Sequence, residues 1–149
     1  MNNNQQIRQA AIDTIKWARD NDIPDSQISN DVDEVMNLHI LDLANNQITS
    51  IPDSIARLVN LSRLYLYNNQ ITSIPDSLGG LVNLRRLYLG SNKITSIPDS
   101  LARLVNLTEL YLSNNQITSI PDSLGGLVNL RMLALGHNHI ENTPKIPLI

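Results

Sequence analysis

Residues 61–83 read LSRLYLYNNQITSIPDSLGGLVN, and residues 107–129 repeat this segment with only three differences. The pattern recurs every 23 residues without an insertion. Its four full copies and one partial copy occupy 38–60, 61–83, 84–106, 107–129 and 130–140. A fixed period of this length indicates a repeat protein in which each unit forms one coil and packs against its neighbours.

Each copy fits the pattern L-x-x-L-x-L-x-x-N-x-I-T-S-I-P-D-S-[LI]-x-x-L-V-N, the last copy only as far as Ile140. This pattern resembles that of the leucine-rich repeat family in its 23-residue form, and the resemblance covers residues 38–140. It implies an α/β solenoid with a parallel concave β-sheet and short helical or extended turns on the convex side. The general rule for parallel crossover connections predicts a right-handed solenoid.

The first part of each unit predicts a short strand. In the second unit Leu64 and Leu66 alternate with Arg63, Tyr65 and Tyr67. A period of two places the leucines on the core side and the other three side chains on the solvent side. One asparagine recurs where the chain leaves the strand, and its amide can satisfy backbone groups of its own and of neighbouring coils. We expect this column to be structural, and it consists of Asn46, Asn69, Asn92, Asn115 and Asn138.

The return half of each unit begins with Ile-Pro-Asp-Ser. Proline fixes φ and lacks an N–H donor, and the Asp or Ser that follows is expected to cap a short helical turn. Two units continue with Ala-Arg and two with Gly-Gly. In the Ala-Arg units a helical turn would let the i, i+4 pairs Asp53/Arg57 and Asp99/Arg103 interact. We expect looser turns in the Gly-Gly units.

The segment 1–37 precedes the repeats and predicts a helical cap with a degenerate first coil. Ile7, Ala11, Ile15 and Ala18 share one face of an amphipathic helix, and a second helix is expected over residues 31–36. Solenoid ends expose core and therefore need capping units.

The segment 141–149 replaces the return half of the fifth unit and predicts a C-terminal tail or plug. Ile146, Leu148 and Ile149 would fold over the last coil. Two alternatives are that the chain is a fragment of a longer solenoid, or that its open edge pairs with a second copy to form a homo-oligomer.

The residues that the repeat does not dictate carry the functional prediction. All four tyrosines of the chain fall on the solvent side of the predicted strands, together with several charged residues. Tyrosine and arginine are enriched at the energetic centres of interfaces, and the family resemblance implies protein binding by the concave sheet. The predicted protein-binding residues are Arg63, Tyr65, Tyr67, Arg85, Arg86, Tyr88, Glu109, Tyr111 and Arg131, with Arg85 and Arg131 at the edge of the surface. The alternative is that these tyrosines only stabilise exposed strands.

Charge and composition bound the partners. The three arginines Arg63, Arg85 and Arg86 favour a peptide or small protein partner that contributes carboxylates, although Glu109 opposes that trend. A net charge of −3 argues against nucleic acid, and no apolar stretch is long enough for a membrane span. The chain has no cysteine, which excludes disulfides and thiolate sites. We therefore expect an intracellular, cytoplasmic protein.

No catalytic constellation stands out from the repeat. Gly79-Gly80 lies in a repeated return segment and is not a phosphate-binding loop, so we predict no enzyme activity and no cofactor. His137, His139 and Glu141 could hold a metal only in an extended segment, but Asn138 between them is a turn residue, so we predict no metal site. The alternatives to a protein-binding module are a self-associating structural solenoid and a regulatory subunit or fragment of a larger effector or receptor.

Overall fold

The computed structural model describes residues 1–142, and its elements follow the repeat. Two helices, α1 (Asn3–Asp20) and α2 (Val32–Met36), precede five three-residue strands. The strands are β1 (Ile40–Asp42), β2 (Arg63–Tyr65), β3 (Arg86–Tyr88), β4 (Glu109–Tyr111) and β5 (Met132–Ala134). Between them lie four 3₁₀ helices at Asp53–Arg57, Asp76–Gly80, Asp99–Arg103 and Asp122–Gly126.

The five strands form one parallel sheet in the order β1-β2-β3-β4-β5. Each residue pairs with the residue 23 positions later, as Leu64 does with Leu87 and Leu87 with Leu110. The predicted parallel sheet with short helical turns is therefore confirmed. We call its exposed side, which corresponds to the predicted concave face, the sheet face.

The core is a stack of aliphatic side chains between the sheet and the 3₁₀ helices. Leu64, Leu66 and Ile71 are fully buried, as are their equivalents one coil later. The alternation within each strand explains this, because every second residue points into the coil. A solenoid buries such side chains between neighbouring coils, so this core forms without phenylalanine.

The asparagine column joins neighbouring coils, as predicted. The Nδ2 group of Asn69 donates to the carbonyls of Leu43 and Leu66 at 3.0 Å each, and its Oδ1 accepts from the N–H of Ile48 at 3.0 Å. Asn92 and Asn115 repeat this arrangement one and two coils later. Because the turn is buried, these side chains supply the partners that water cannot.

The return side corrects two predictions. Each 3₁₀ helix has Pro at its N-cap and no side-chain cap. The predicted pairs Asp53/Arg57 and Asp99/Arg103 are both absent from the ion pairs of residues 1–142. A 3₁₀ helix has three residues per turn, so i and i+4 do not share a side. Asp53 instead accepts from the Ser77 hydroxyl of the next coil at 2.6 Å.

The Gly-Gly units form 3₁₀ helices of the same length as the Ala-Arg units, contrary to the looser turns expected. Close packing of neighbouring coils explains why glycine occupies position 79. A Cβ at this position would lie 2.6 Å from the carbonyl oxygen of Ser100 in the next coil, so glycine permits a close approach of the two coils.

The N-terminal segment covers the first coil. Helix α1 packs against α2 and against the 3₁₀ helix Asp53–Arg57. Ala11 and Val35 are fully buried, and the Thr14 hydroxyl bridges the carbonyl of Ala10 and the Ser54 hydroxyl at 2.7 and 2.8 Å. Both predicted helices are therefore present. The predicted plug of Ile146, Leu148 and Ile149 lies outside the described residues, and the exact unit boundaries remain a prediction.

Candidate functional site

The strand register aligns the predicted site residues in two columns across the sheet face. One column runs Ile40, Arg63, Arg86, Glu109 and Met132, and the other runs Asp42, Tyr65, Tyr88, Tyr111 and Ala134. Parallel strands lie about 4.8 Å apart, so side chains of one column contact their neighbours. The structure thus brings together seven of the nine predicted residues on or directly beside one surface.

Three tyrosines form a continuous aromatic ladder in the middle of the sheet face. The ring centroids of Tyr65 and Tyr88 are 4.8 Å apart with planes at 45°, and those of Tyr88 and Tyr111 are 4.4 Å apart at 59°. Tilted pairs at these distances are favourable beyond the area they bury. All three tyrosines are half-buried and remain partly accessible, as does Tyr67, two residues after Tyr65.

Glu109 connects the ladder to the charged column. The Tyr88 hydroxyl donates to Glu109 Oε2, and Arg86 Nε lies 3.4 Å from Glu109 Oε1. Partial burial, together with the hydrogen bond to Glu109, raises the pKa of Tyr88 to about 12. Contact with Tyr65 and then with Glu109 raises the pKa of Arg86 above its usual value. Glu109 therefore orders Tyr88 and neutralises Arg86, a role that its residue type alone did not reveal.

Arg63 and Tyr111 complete the sheet face. Arg63 is half-buried and belongs to no ion pair within residues 1–142. The hydroxyl of Tyr111 contacts the sulfur of Met132 on the last strand, and a thioether is only a weak acceptor. The hydroxyl of the middle ring, Tyr88, therefore meets a carboxylate, whereas that of Tyr111 at one end of the ladder meets a thioether.

Arg85 and Arg131 lie outside the sheet face, at the N-terminal ends of β3 and β5. They flank a shallow groove of about 520 Å³, which we call the edge groove. Its other lining residues are Asn106, Thr108, Val128, Asn129 and Leu130. Sequence reasoning missed the polar members, although Thr108 shares a 23-residue column with both arginines.

The C-terminal histidines do not form a metal site in the described structure. His137 adopts a left-handed backbone with φ of 56°, as Asn114 does one coil earlier, so the segment turns here. Within residues 1–142 no three His, Asp or Glu side chains are placed to hold one metal ion.

The sequence profile described as leucine rich repeat matches residues 36–94 and 82–140. The chain belongs to the leucine-rich repeat family. The matched range contains all five strands and all nine predicted site residues. No curated protein matches the chain.

Solved leucine-rich repeat structures share this fold. A leucine-rich repeat protein of Leptospira interrogans is 36% identical with a TM-score of 0.72, over 79% of this chain and 30% of that chain. An internalin from Listeria monocytogenes is 36% identical with a TM-score of 0.64, over 72% and 31%. The ectodomain of an Arabidopsis thaliana receptor kinase, in complex with CASPARIAN STRIP INTEGRITY FACTOR 2, is 38% identical with a TM-score of 0.64, over 69% and 13%.

This leucine-rich repeat chain spans less than a third of the length of each of those three proteins. Within residues 1–142 no helix has the length and apolar character that a membrane crossing requires. The intracellular location remains a prediction.

Proposed function

We propose that this chain is a non-catalytic interaction module that binds a peptide or a small protein surface through the sheet face. The observation that carries the proposal is the ladder of Tyr65, Tyr88 and Tyr111, whose side chains are partly accessible and yet held by contacts with one another and with Glu109. Tyrosine offers large contact area at a low cost in conformational entropy.

Pre-organisation makes this surface suited to binding. A side chain that is already fixed loses little further freedom when a partner covers it. Tyr88 is fixed by two neighbouring rings and by its hydrogen bond to Glu109. Its position in the middle of the sheet is also where interface hot spots concentrate.

The size of the surface limits the partner. Five strands about 4.8 Å apart span about 20 Å, which fits a short extended segment or one face of a small domain. The receptor-kinase ectodomain described above shares this fold and was solved in complex with CASPARIAN STRIP INTEGRITY FACTOR 2, which supports a peptide or protein partner here.

Selection from a random peptide display library on the immobilised protein tests the proposal. The selected peptides are then tested for retention by Tyr88→Ala and by Thr95→Ala, which removes an exposed side chain from the opposite half of the same repeat unit. We expect retention by Thr95→Ala and loss with Tyr88→Ala, with both variants melting as cooperatively as the wild type. Equal retention of every selected peptide by both variants would falsify the proposal.

A further inference from the structure

Arg86 on the sheet face differs from the arginines of the edge groove in its ion pairs. Arg86 on the sheet face lies beside Glu109, so its charge is largely compensated. Arg85 and Arg131 belong to no ion pair within residues 1–142, and both are exposed. Uncompensated positive charge therefore lies at the edge groove, in addition to that of Arg63 on the sheet face.

The other polar side chains of the edge groove each donate one hydrogen bond to the protein itself. The amide groups of Asn106 and Asn129 donate to the carbonyls of Val82 and Val105 at 2.8 and 2.7 Å. The Thr108 hydroxyl donates to the Arg85 carbonyl at 3.0 Å. No Asp or Glu lines the groove. The guanidinium groups are the charged donors left for a ligand, and they match carboxylates in a bidentate manner.

The spacing of the arginines favours two linked carboxylates over one small anion. Arg85 and Arg131 are separated by two coils, which corresponds to about 10 Å between their backbones. In an extended peptide, residues two or three positions apart are separated by about 7 to 10 Å. A peptide with two acidic residues at that spacing can engage both guanidinium groups.

The groove also continues along the same edge. A second depression of about 250 Å³ shares Arg85 and Asn106 with it and extends to His39 at the first strand. No acidic side chain lines this part either. Because Arg85 directly precedes Arg86 on β3, a polypeptide on the sheet face can extend into this groove without a gap.

We propose that the edge groove binds an acidic segment of the polypeptide ligand, with Arg85 and Arg131 each engaging one carboxylate. This inference rests on the proposed function and adds a site for acidic residues of the partner at the edge of the sheet face. The net charge of −3 disfavours a nucleic acid as the source of the anion.

The probe is the peptide acetyl-Glu-Gly-Gly-Glu-amide, titrated into the isotope-labelled protein and followed by the NMR signals of the arginine Nε–H groups. Its glutamine analogue and inorganic phosphate are titrated in parallel. The double variant Arg85→Gln with Arg131→Gln removes the groove charges. The double variant Arg57→Gln with Arg103→Gln removes the same charge from two exposed 3₁₀-helix arginines.

We expect saturable shifts at Arg85 and Arg131 with the glutamate peptide and a Kd at least about tenfold higher in the Arg85/Arg131 variant. The Arg57/Arg103 variant is expected to stay within about twofold of the wild type. Equal weakening by both variants, equal binding of phosphate or of the glutamine peptide, or absence of shifts at the two arginines overturns the inference.

The outcome is separable from that of the proposed function. Tyr88→Ala is expected to leave the titration of the glutamate peptide unchanged, because Tyr88 does not line the groove. If the glutamate peptide causes no shifts while the selected peptides still require Tyr88, the edge groove is excluded as a binding site. The sheet face then remains the binding surface.

Discussion

The rings of Tyr88 and Tyr111 lie with their centroids 4.4 Å apart and their planes at 59°, on adjacent strands of a parallel sheet. The hydroxyl of Tyr88 meanwhile donates to Glu109, which neighbours Arg86 in the adjacent column. Tyr88 is thus held at its ring and at its hydroxyl.

Ionisation of Tyr88 is expected near pH 12. Partial burial and the hydrogen bond to Glu109 both disfavour the phenolate, so the pKa lies above its usual value of 10.0. A rapid pH-jump titration followed by tyrosinate absorbance, with the Tyr88→Phe curve subtracted, isolates this group. Glu109→Gln is expected to lower the pKa of Tyr88. A difference curve centred at pH 10 would contradict the contact.

The same pKa shift predicts how stability depends on pH. Because the folded state holds the proton more tightly than the unfolded state, the contribution of Tyr88 is fully present below pH 10 and is lost as the pH rises from 10 towards about 12. Urea unfolding at several pH values shows this loss, and Tyr88→Phe is expected to reduce it.

Asn92→Ala is expected to destabilise the protein by about 1 to 3 kcal/mol. The N–H of Ile71 would lose its acceptor, whereas the carbonyls of Leu66 and Leu89 keep the amides of the asparagines one coil away. Denaturant unfolding measures the change. Gln70→Ala, at an exposed side chain, is the control. Equal midpoints for the two variants would show that the asparagine column does not stabilise the turns.

Two glycines with identical sequence neighbours are expected to respond differently to alanine. A Cβ at Gly79 would meet the Ser100 carbonyl oxygen at 2.6 Å, whereas none of the described residues lies within 4 Å of a Cβ at Gly125. Gly79→Ala should therefore cost about 1 to 3 kcal/mol. Gly125→Ala should cost less, because none of the described residues crowds a Cβ there and alanine also restricts the unfolded chain. Thermal melts of both variants measure the change in stability. An equal loss of stability at both sites would refute the packing argument.

Much of this architecture was predictable because the repeat makes local and global patterns agree. The alternation around Leu64 and Leu66 predicted the strands, and the 23-residue period placed Tyr65, Tyr88 and Tyr111 in one column. The period holds the register because each coil packs on an almost identical coil.

The details that depend on helix type and side-chain conformation could not be predicted from the sequence. The pairing of Asp53 with Ser77 depends on 3₁₀ geometry, which the Asp-to-Arg spacing does not reveal. The 23-residue period places Glu109 next to Arg86, so their ion pair could be expected from the sequence. The role of Glu109 as acceptor for Tyr88 depends on the rotamer of Glu109. The edge groove arises from three coils together and has no signature within one unit.

The most direct test of the central claim is the Kd of one selected peptide in solution, measured by calorimetry for Tyr88→Ala and for Thr95→Ala. We predict that Tyr88→Ala raises the Kd at least about tenfold and that Thr95→Ala leaves it unchanged. A Kd that is the same for Tyr88→Ala as for the wild type, with both proteins folded, would contradict binding by the sheet face.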